Sequence, residues 1–343
     1  MVGTASLNLR NERLLRAIIS RSQDTFLGPA LTLASFEKYD SENSLKTARF
    51  EFEEDNQRFF RHFFGRLGCE QLRGRDILDV GCGYGGRSVY YALECGARSI
   101  HGIDIVERCV TRSALFAEQA GAGNASFSLM SAEELGFPDG SVDCVLSFDA
   151  LEHASDPAAA IREMCRVLRP GGDAWVVFPT YRGARTSHLD YITRVPALHR
   201  IFHPDTIIKV VNEILETEGE RLGTLIQPKP GVSNLGHYTL PWLNGMTLRE
   251  SRRLFRLAGF EIVGEWVTPL VDPQLTLAEV RRNVGDKLPL ALTVRGLALL
   301  LYGIGRLVRL PDLLIQNIAF HATVPRRTPA HSAANHPSTG SPG

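Results

Sequence analysis

The stretch Asp76-Ile77-Leu78-Asp79-Val80-Gly81-Cys82-Gly83-Tyr84-Gly85-Gly86-Arg87 constrains the fold more than any other part of the chain. It reads as a strand that breaks into a glycine turn and continues as a helix through Tyr90, Tyr91 and Ala92. The short apolar run Ile77, Leu78 and Val80 suits a buried strand. The glycines permit positive φ and let a ligand approach the backbone closely, while the first-turn amides of the next helix point into the same space. A turn of this kind holds a nucleotide-like molecule.

Gly81, Gly83 and Gly86 also satisfy G-x-G-x-x-G, so a dinucleotide and S-adenosylmethionine compete as readings, and purely structural turns share the pattern. The helix after the turn is stopped by Gly96, and 99–105 reads as a second strand. Asp104 then falls at the carboxyl end of that strand, about twenty residues past the glycines, where an acid can accept both ribose hydroxyls. That placement suits either cofactor. A helix over about 106–120, a third strand over 125–130, the loop 131–140 and a fourth strand over 142–148 follow. A helix around 157–167 then leads through Leu168-Arg169-Pro170-Gly171-Gly172, expected as a turn, to a fifth strand over 174–178. Strands alternating with helices predict an α/β fold, a doubly wound, mostly parallel Rossmann-like sheet.

At 343 residues, 44% hydrophobic and 22% charged, the chain can bury one large core with insertions or two smaller ones. Lys+Arg and Asp+Glu are both 38, so no overall field recruits nucleic acid, and no nucleic-acid partner is expected. Cys69, Cys82, Cys95, Cys109, Cys144 and Cys165 lie in apolar segments without a C-x-x-C pair or an adjacent histidine pattern. They are expected as buried thiols of a reducing, cytoplasmic compartment, with neither a disulfide framework nor a metal site. Residues 1–15 lack a continuous apolar run, and no segment reaches the roughly eighteen uncharged apolar residues of a transmembrane helix.

Four blocks over residues 76–180, ILDVGCGYGG, GIDI, SAEELGFPDGSVDCVLSFDALEH and LRPGG, resemble in their order the class I S-adenosylmethionine-dependent methyltransferases. The resemblance is to the branch that includes the ubiquinone and menaquinone biosynthesis enzymes. It implies that Asp79, Gly81, Cys82, Gly83 and Gly85 surround the methionine half of the cofactor, and that Asp104, with Ile105 beside it, takes the ribose. Ala132 and Glu133 would flank the adenine, and Ser147 and Phe148 would face the methionine moiety near the transferred methyl. This branch often carries Asp before the alanine, where this chain has Ser131. The cofactor has no phosphate, so the turn needs donors for a carboxylate and acceptors for an ammonium and a ribose, which the amides, Asp79 and Asp104 supply.

The implied core also needs a helix, a sixth strand and an antiparallel seventh, which 246–257, 261–267 and 318–324 fit, with Thr247 and Glu250 forming a capping box. The function implied is methyl transfer to a small-molecule acceptor, most simply to an oxygen of a sugar, lipid or secondary metabolite. His153 is the first candidate base, followed by His188, His237 and Tyr181. The alternatives are a non-catalytic S-adenosylmethionine-binding scaffold and an NAD-dependent oxidoreductase.

Residues 1–70 are expected as a helical lid, with one helix over 8–22 and an aromatic face formed by Leu45, Phe50, Phe52, Phe59, Phe60, Phe63, Phe64 and Leu67. That face either docks the helices on the sheet or covers the cofactor. The methyltransferase domain is expected over 71–325, with insertions at about 181–245 and 270–316. The first insertion leaves the carboxyl ends of the strands and is expected to roof the acceptor pocket, with helices at about 192–200 and 204–218. The second carries an apolar stretch over about 286–310 edged by Arg295, Arg306 and Arg309. Two readings of it stand, a peripheral membrane helix and a lid or homodimer helix. Residues 326–343, rich in Pro, Ser, Gly and His, are expected to be disordered.

Overall fold

The structure, a computed structural model, describes residues 2–22, 25, 41–183, 189, 192–193, 195–218, 243–269, 292–293, 296–297, 300, 304 and 315–326. Seven strands form one sheet: β1 (Asp76–Val80), β2 (Ser99–Asp104), β3 (Ala125–Leu129), β4 (Val142–Phe148), β5 (Leu168–Pro179), β6 (Glu261–Pro269) and β7 (Ile315–Thr323). They lie in the order β3-β2-β1-β4-β5-β7-β6. β7 is antiparallel to both of its neighbours, and the pairs among β1 to β5 are parallel. This is the doubly wound, mostly parallel sheet with an antiparallel seventh strand that the sequence predicts.

The helices are α1 (Val2–Ser22), α2 (Ser41–Phe50), α3 (Asn56–Arg61), α4 (Cys69–Leu72), α5 (Gly86–Leu93), α6 (Glu107–Ala120), α7 (Pro157–Val167), α8 (Leu198–Ile201), α9 (Pro204–Glu218) and α10 (Leu248–Leu257). One π-helical turn, Glu51–Asp55, joins α2 to α3. Local chemistry sets several of these limits. Asp156 accepts from the Ala159 amide at 2.9 Å before Pro157 opens α7, a position that suits proline because its missing N–H has no helical partner to lose. Gly121, at φ +74°, closes α6. At α10 the predicted capping box forms: Glu250 Oε2 accepts from the Thr247 amide at 3.0 Å, and Thr247 Oγ1 accepts from the Glu250 amide at 3.4 Å.

Both faces of the sheet are covered, which is why its central strands are apolar throughout. Side chains alternate along a strand, so Leu78, Val80, Val145, Val176 and Phe178 pack on one side with Ile161 and Met164 of α7 and Phe255 of α10. Ile77, Leu146, Trp175 and Val177 pack on the other with Phe59, Phe60, Phe63 and Tyr91. The aromatic face of the N-terminal region therefore docks on the sheet side through Phe52, Phe59, Phe60, Phe63 and Leu67, whereas Phe50 and Phe64, expected on the same face, are exposed.

Several expectations are corrected. The LRPGG segment is the first part of β5 rather than a turn before it. The pairing with β4 shifts between Val142–Leu168 and Cys144–Asp173, and this irregularity absorbs the intervening residues, with Gly171 at φ +85°. The helix expected at about 192–200 is the single turn α8, while α9 spans its expected range. α1 starts earlier than the expected 8–22, and its Leu15 and Ile19 are buried with Phe202, Ile207, Val210 and Val211 of the first insertion. Ion pairs of Lys209 with Glu12, at 2.7 Å, and of Arg16 with Glu213 accompany that packing.

Cys69 and Cys95, expected as thiols, are joined in a disulfide, because packing of α4 beside the end of α5 brings their Cα atoms to 4.3 Å. A separation of 26 residues gives no sign of this in the sequence. Cys82, Cys109, Cys144 and Cys165 are free thiols.

Candidate cofactor site

The glycine turn sits at the carboxyl end of β1. Gly81, Gly83 and Gly85 have φ of +77°, +57° and +78°, a region that costs residues with a Cβ energy. A β-carbon on Gly81 would stand 2.3 Å from the Ala150 Cβ, so the turn and the segment after β4 share a wall. A β-carbon on Gly85 would meet Ser113 of α6 at 2.6 Å, so Gly85 permits close helix packing. The amides of Gly81 and Cys82 donate to the Ile103 carbonyl at 2.9 and 3.0 Å, which fixes the turn against β2.

Asp104 accepts from the Gly83 amide at 3.1 Å and from the Val106 amide at 2.9 Å. Burial raises its pKa, and these amides oppose the rise. A carboxylate has about four lone-pair sites, so Asp104 retains acceptor capacity for a ribose. Ile105 beside it is 60% exposed and offers an apolar face at the rim. Asp79 is buried, and burial raises its pKa against the Ser88 hydroxyl, which donates at 2.5 Å, and the nearby Arg87 charge.

Asp79, Gly81, Cys82, Arg87, Ser147 and Phe148 line one narrow space, too tight to admit a water molecule, together with Phe59, Tyr91 and Leu146. Ser147 Oγ is buried there without a hydrogen-bond partner among the described residues. Burial pushes the Cys82 thiol pKa well up, which makes it a packing group. The guanidinium groups of Arg58 and Arg87 lie 5.2 and 4.9 Å from the centre of the Phe148 ring. Ala132 is half-buried against the core. The Glu133 carboxylate accepts from the amides of Ser155 and Asp156 at 2.6 and 3.0 Å, so its side chain is engaged at the approach to α7.

The segment after β4 carries the reactive groups. Asp149 has φ +52°, a strained conformation for a residue with a side chain. Leu151–His153 forms a 3₁₀ turn. Glu152 is buried, and neither of its carboxylate oxygens has a hydrogen-bond partner among the described residues. Burial, and then the Asp149 charge, push its pKa well above the usual carboxylate range. His153 is exposed, with Nε2 at 3.6 Å from Glu152 Oε1. Asn244 clamps the turn: Nδ2 donates to the carbonyls of Leu151 and Ala154 at 2.7 and 3.1 Å, and the Asn244 amide donates to the Glu152 carbonyl at 2.9 Å.

The structure thus brings Asp79, Gly81, Cys82, Ser147 and Phe148 around one narrow space, ties Gly83 to Asp104 at the end of β2, and sets His153 on the turn after β4. Tyr181 packs with His199, at 5.2 Å between ring centres, in the cluster that holds α1 and α9. His188 and His237 lie outside the described residues.

Sequence reasoning assigned no role to Glu51, Arg58, His62, Arg87, Glu152 or Asn244. Arg87 and Glu152 lie inside the quoted motifs and could have been noticed there. Asn244 is 93 residues from Leu151, and no local pattern marks it. His62 Nδ1 is 2.8 Å from Thr268 Oγ1, its ring lies 5.6 Å from Phe148, and burial lowers its pKa to about 4.

The sheet order, the glycine turn and Asp104 together define an adenosine-binding α/β domain. Residues 78–176 match the family described as methyltransferase domain. The chain is 38% identical over 109 residues to the chloroplastic tocopherol O-methyltransferase of Arabidopsis thaliana, a match covering 32% of this chain and 31% of that protein. It is 34% identical over 114 residues to the ubiquinone biosynthesis O-methyltransferase of Paracidovorax citrulli, covering 33% and 46%. The chain therefore spans about a third to a half of the length of these curated relatives. In three dimensions it is similar to phosphoethanolamine N-methyltransferase 2 of Haemonchus contortus in complex with S-adenosyl-L-methionine. The TM-score is 0.50 at 18% identity, covering 91% of this chain and 60% of that one, which is a likeness of fold. Residues 78–176 thus carry the match to a methyltransferase domain, and the relatives aligned with this part of the chain are named as O-methyltransferases.

Proposed function

We propose that the protein transfers the methyl group of S-adenosylmethionine to a hydroxyl of a small, lipid-like acceptor, a phenol or quinol. The observation that carries this reading is the contact of Gly81 with Ala150, which places the cradle and the turn bearing Glu152 and His153 side by side. The residues present fit the cofactor. Asp104 has spare acceptor capacity for the ribose, and Ile105 offers an apolar surface for the base. Asp79, Arg87 and the unpartnered Ser147 hydroxyl put polar groups at the methionine end.

When bound, the cofactor supplies an already electrophilic methyl group, so the chain has to align the acceptor, exclude water and take up one proton. On this reading His153 Nε2 receives the hydroxyl proton. Glu152 beside it is held toward its neutral form by burial and shapes the wall without competing for that proton. The relatives named as tocopherol O-methyltransferase and ubiquinone biosynthesis O-methyltransferase support a phenol- or quinol-type hydroxyl as acceptor. The test is S-adenosylhomocysteine formation with a panel of quinols, catechols and sugars. His153→Ala should slow the reaction by roughly a hundredfold or more at unchanged S-adenosylhomocysteine affinity. An unchanged rate removes His153 from the mechanism, and cofactor binding without turnover on any acceptor favours a scaffold.

We also propose that the segment over about 286–310 meets a lipid surface. Leu297, Leu300 and Ile304 recur at helical spacing and are exposed, and the sequence around them carries Arg295, Arg306 and Arg309. β6 runs in the same direction as β5, so the segment between β6 and β7 leaves the sheet at its cofactor edge. Among the described residues no helix is long and apolar enough to cross a membrane. Cosedimentation with anionic vesicles, reduced by Leu300→Glu, checks the contact; a homodimer through the same face would appear instead in sedimentation velocity.

A further inference from the structure

Residues 48–59 close over the glycine turn. A β-carbon on Gly86 would stand 2.0 Å from the Ala48 carbonyl oxygen and 2.6 Å from the Glu51 Cβ, so only glycine admits this cover. Glu51 opens the π-helical turn between α2 and α3, an irregularity that often marks functional sites. Its Oε2 accepts from the Gly86 amide at 3.2 Å, and its Oε1 lies 3.9 Å from an Arg87 guanidinium nitrogen. The two side chains are only 13% and 16% exposed. A backbone amide at the start of α5 and a guanidinium beside it are the donors of an anion site, and here the chain's own carboxylate occupies them.

Arg87 also lines the narrow space that contains Asp79 and the unpartnered Ser147 hydroxyl, and Phe59 of the cover forms part of the same wall. That space is too tight to admit a water molecule, let alone a ligand, whereas Ile105 beside Asp104 is exposed. We propose that Glu51 is a latch that competes with the amino-acid carboxylate of the cofactor for Arg87 and the Gly86 amide, so that binding the methionine end displaces Glu51 and lifts the cover. This rests on the S-adenosylmethionine reading above. Two carboxylates repel each other at one pair of donors, and the packing of Phe59 sets how often the latch is closed. The apparent affinity falls by the fraction of molecules in which the donors are already taken.

The test is calorimetry on the full chain with two probes. S-adenosylhomocysteine carries the amino-acid carboxylate, and 5′-methylthioadenosine keeps the nucleoside and sulfur but lacks it. Glu51→Gln should tighten S-adenosylhomocysteine roughly tenfold and leave methylthioadenosine within about twofold, as expected for a latch closed in about nine molecules of ten. Arg87→Met should weaken S-adenosylhomocysteine and spare methylthioadenosine. Weaker S-adenosylhomocysteine binding by Glu51→Gln overturns the latch and makes Glu51 a partner of the cofactor's ammonium. An unchanged affinity, or equal changes for both probes, also overturns it. Hydrogen exchange on the wild-type chain gives an answer without any variant: S-adenosylhomocysteine should speed exchange over 48–59 while protecting 79–86, and protection of both overturns the latch. If wild type binds neither probe, the cofactor reading itself fails.

Discussion

Gly81 and Ala150 touch so closely that a β-carbon on Gly81 would lie 2.3 Å from the Ala150 Cβ, with Gly81 at φ +77°. Gly81→Ala therefore combines a left-handed backbone penalty with overpacking, and should destabilise the fold by about 2–5 kcal/mol. Gly123, with nothing within 4 Å of its would-be Cβ, is the control. Gly123→Ala should stay within about 1 kcal/mol of wild type. Urea denaturation midpoints of the two variants measure the contrast, and equal losses would refute the packing argument.

Asp104 joins the glycine turn to β2 through the Gly83 amide and is the expected ribose acceptor. Asp104→Ala should weaken S-adenosylhomocysteine about ten- to a hundredfold, the value of hydrogen bonds to a charged group. Methylthioadenosine shares the ribose and should weaken equally, which separates Asp104 from Arg87 in the same calorimetric assay.

His62 gives the protein a defined acid sensitivity. Burial depresses its folded-state pKa to about 4 from the ordinary histidine value of 6.5. Between these values the unfolded chain takes up a proton that the folded chain refuses. Stability is therefore full above pH 6.5, falls as pH drops through the window, and loses nothing further from this group below pH 4. The total from this histidine is about 3 kcal/mol. Chemical denaturation from pH 7 to pH 4 should show a shallower loss for His62→Gln than for wild type; parallel curves would show that His62 does not carry the effect.

Asn244 holds the turn that presents Glu152 and His153. Asn244→Ala leaves the buried Leu151 carbonyl and the partly buried Ala154 carbonyl without these donors and should cost about 2–3 kcal/mol in thermal or urea unfolding. Methyl transfer should fall with the loosened turn while S-adenosylhomocysteine affinity stays near wild type. A parallel loss of both would mean that the turn supports the cradle as well.

Glu152 is held toward its neutral form by burial, so an uncharged isostere should fit. Glu152→Gln is expected to change stability by less than about 1 kcal/mol, whereas Glu152→Lys, an unpaired buried charge, should cost at least about 3 kcal/mol. Thermal melts of both variants decide this, and a large loss in the Gln variant would show that the carboxylate works as an ion.

The strands, the glycine turn, the Gly121 stop and the Thr247–Glu250 capping box could be read from the sequence because each is written in residues a few positions apart. Apolar alternation, the freedom of glycine at positive φ and the reach of a capping side chain are local properties. The same reasoning placed Asp104 at a strand end, since parallel strands in a doubly wound sheet end on one side.

Only the tertiary structure decided the rest. It set α1 against α9, paired Cys69 with Cys95, folded LRPGG into β5, and laid Glu51 on Gly86. It also made Glu152 and His62 unusual titrating groups, because a pKa shift of this kind depends on how much of the rest of the chain excludes water from the side chain. The sequence by itself determined the elements and the glycine turn, which rest on neighbours in the chain. Burial, the clamp of Asn244 and the cover over the cradle depend on residues brought together from far apart.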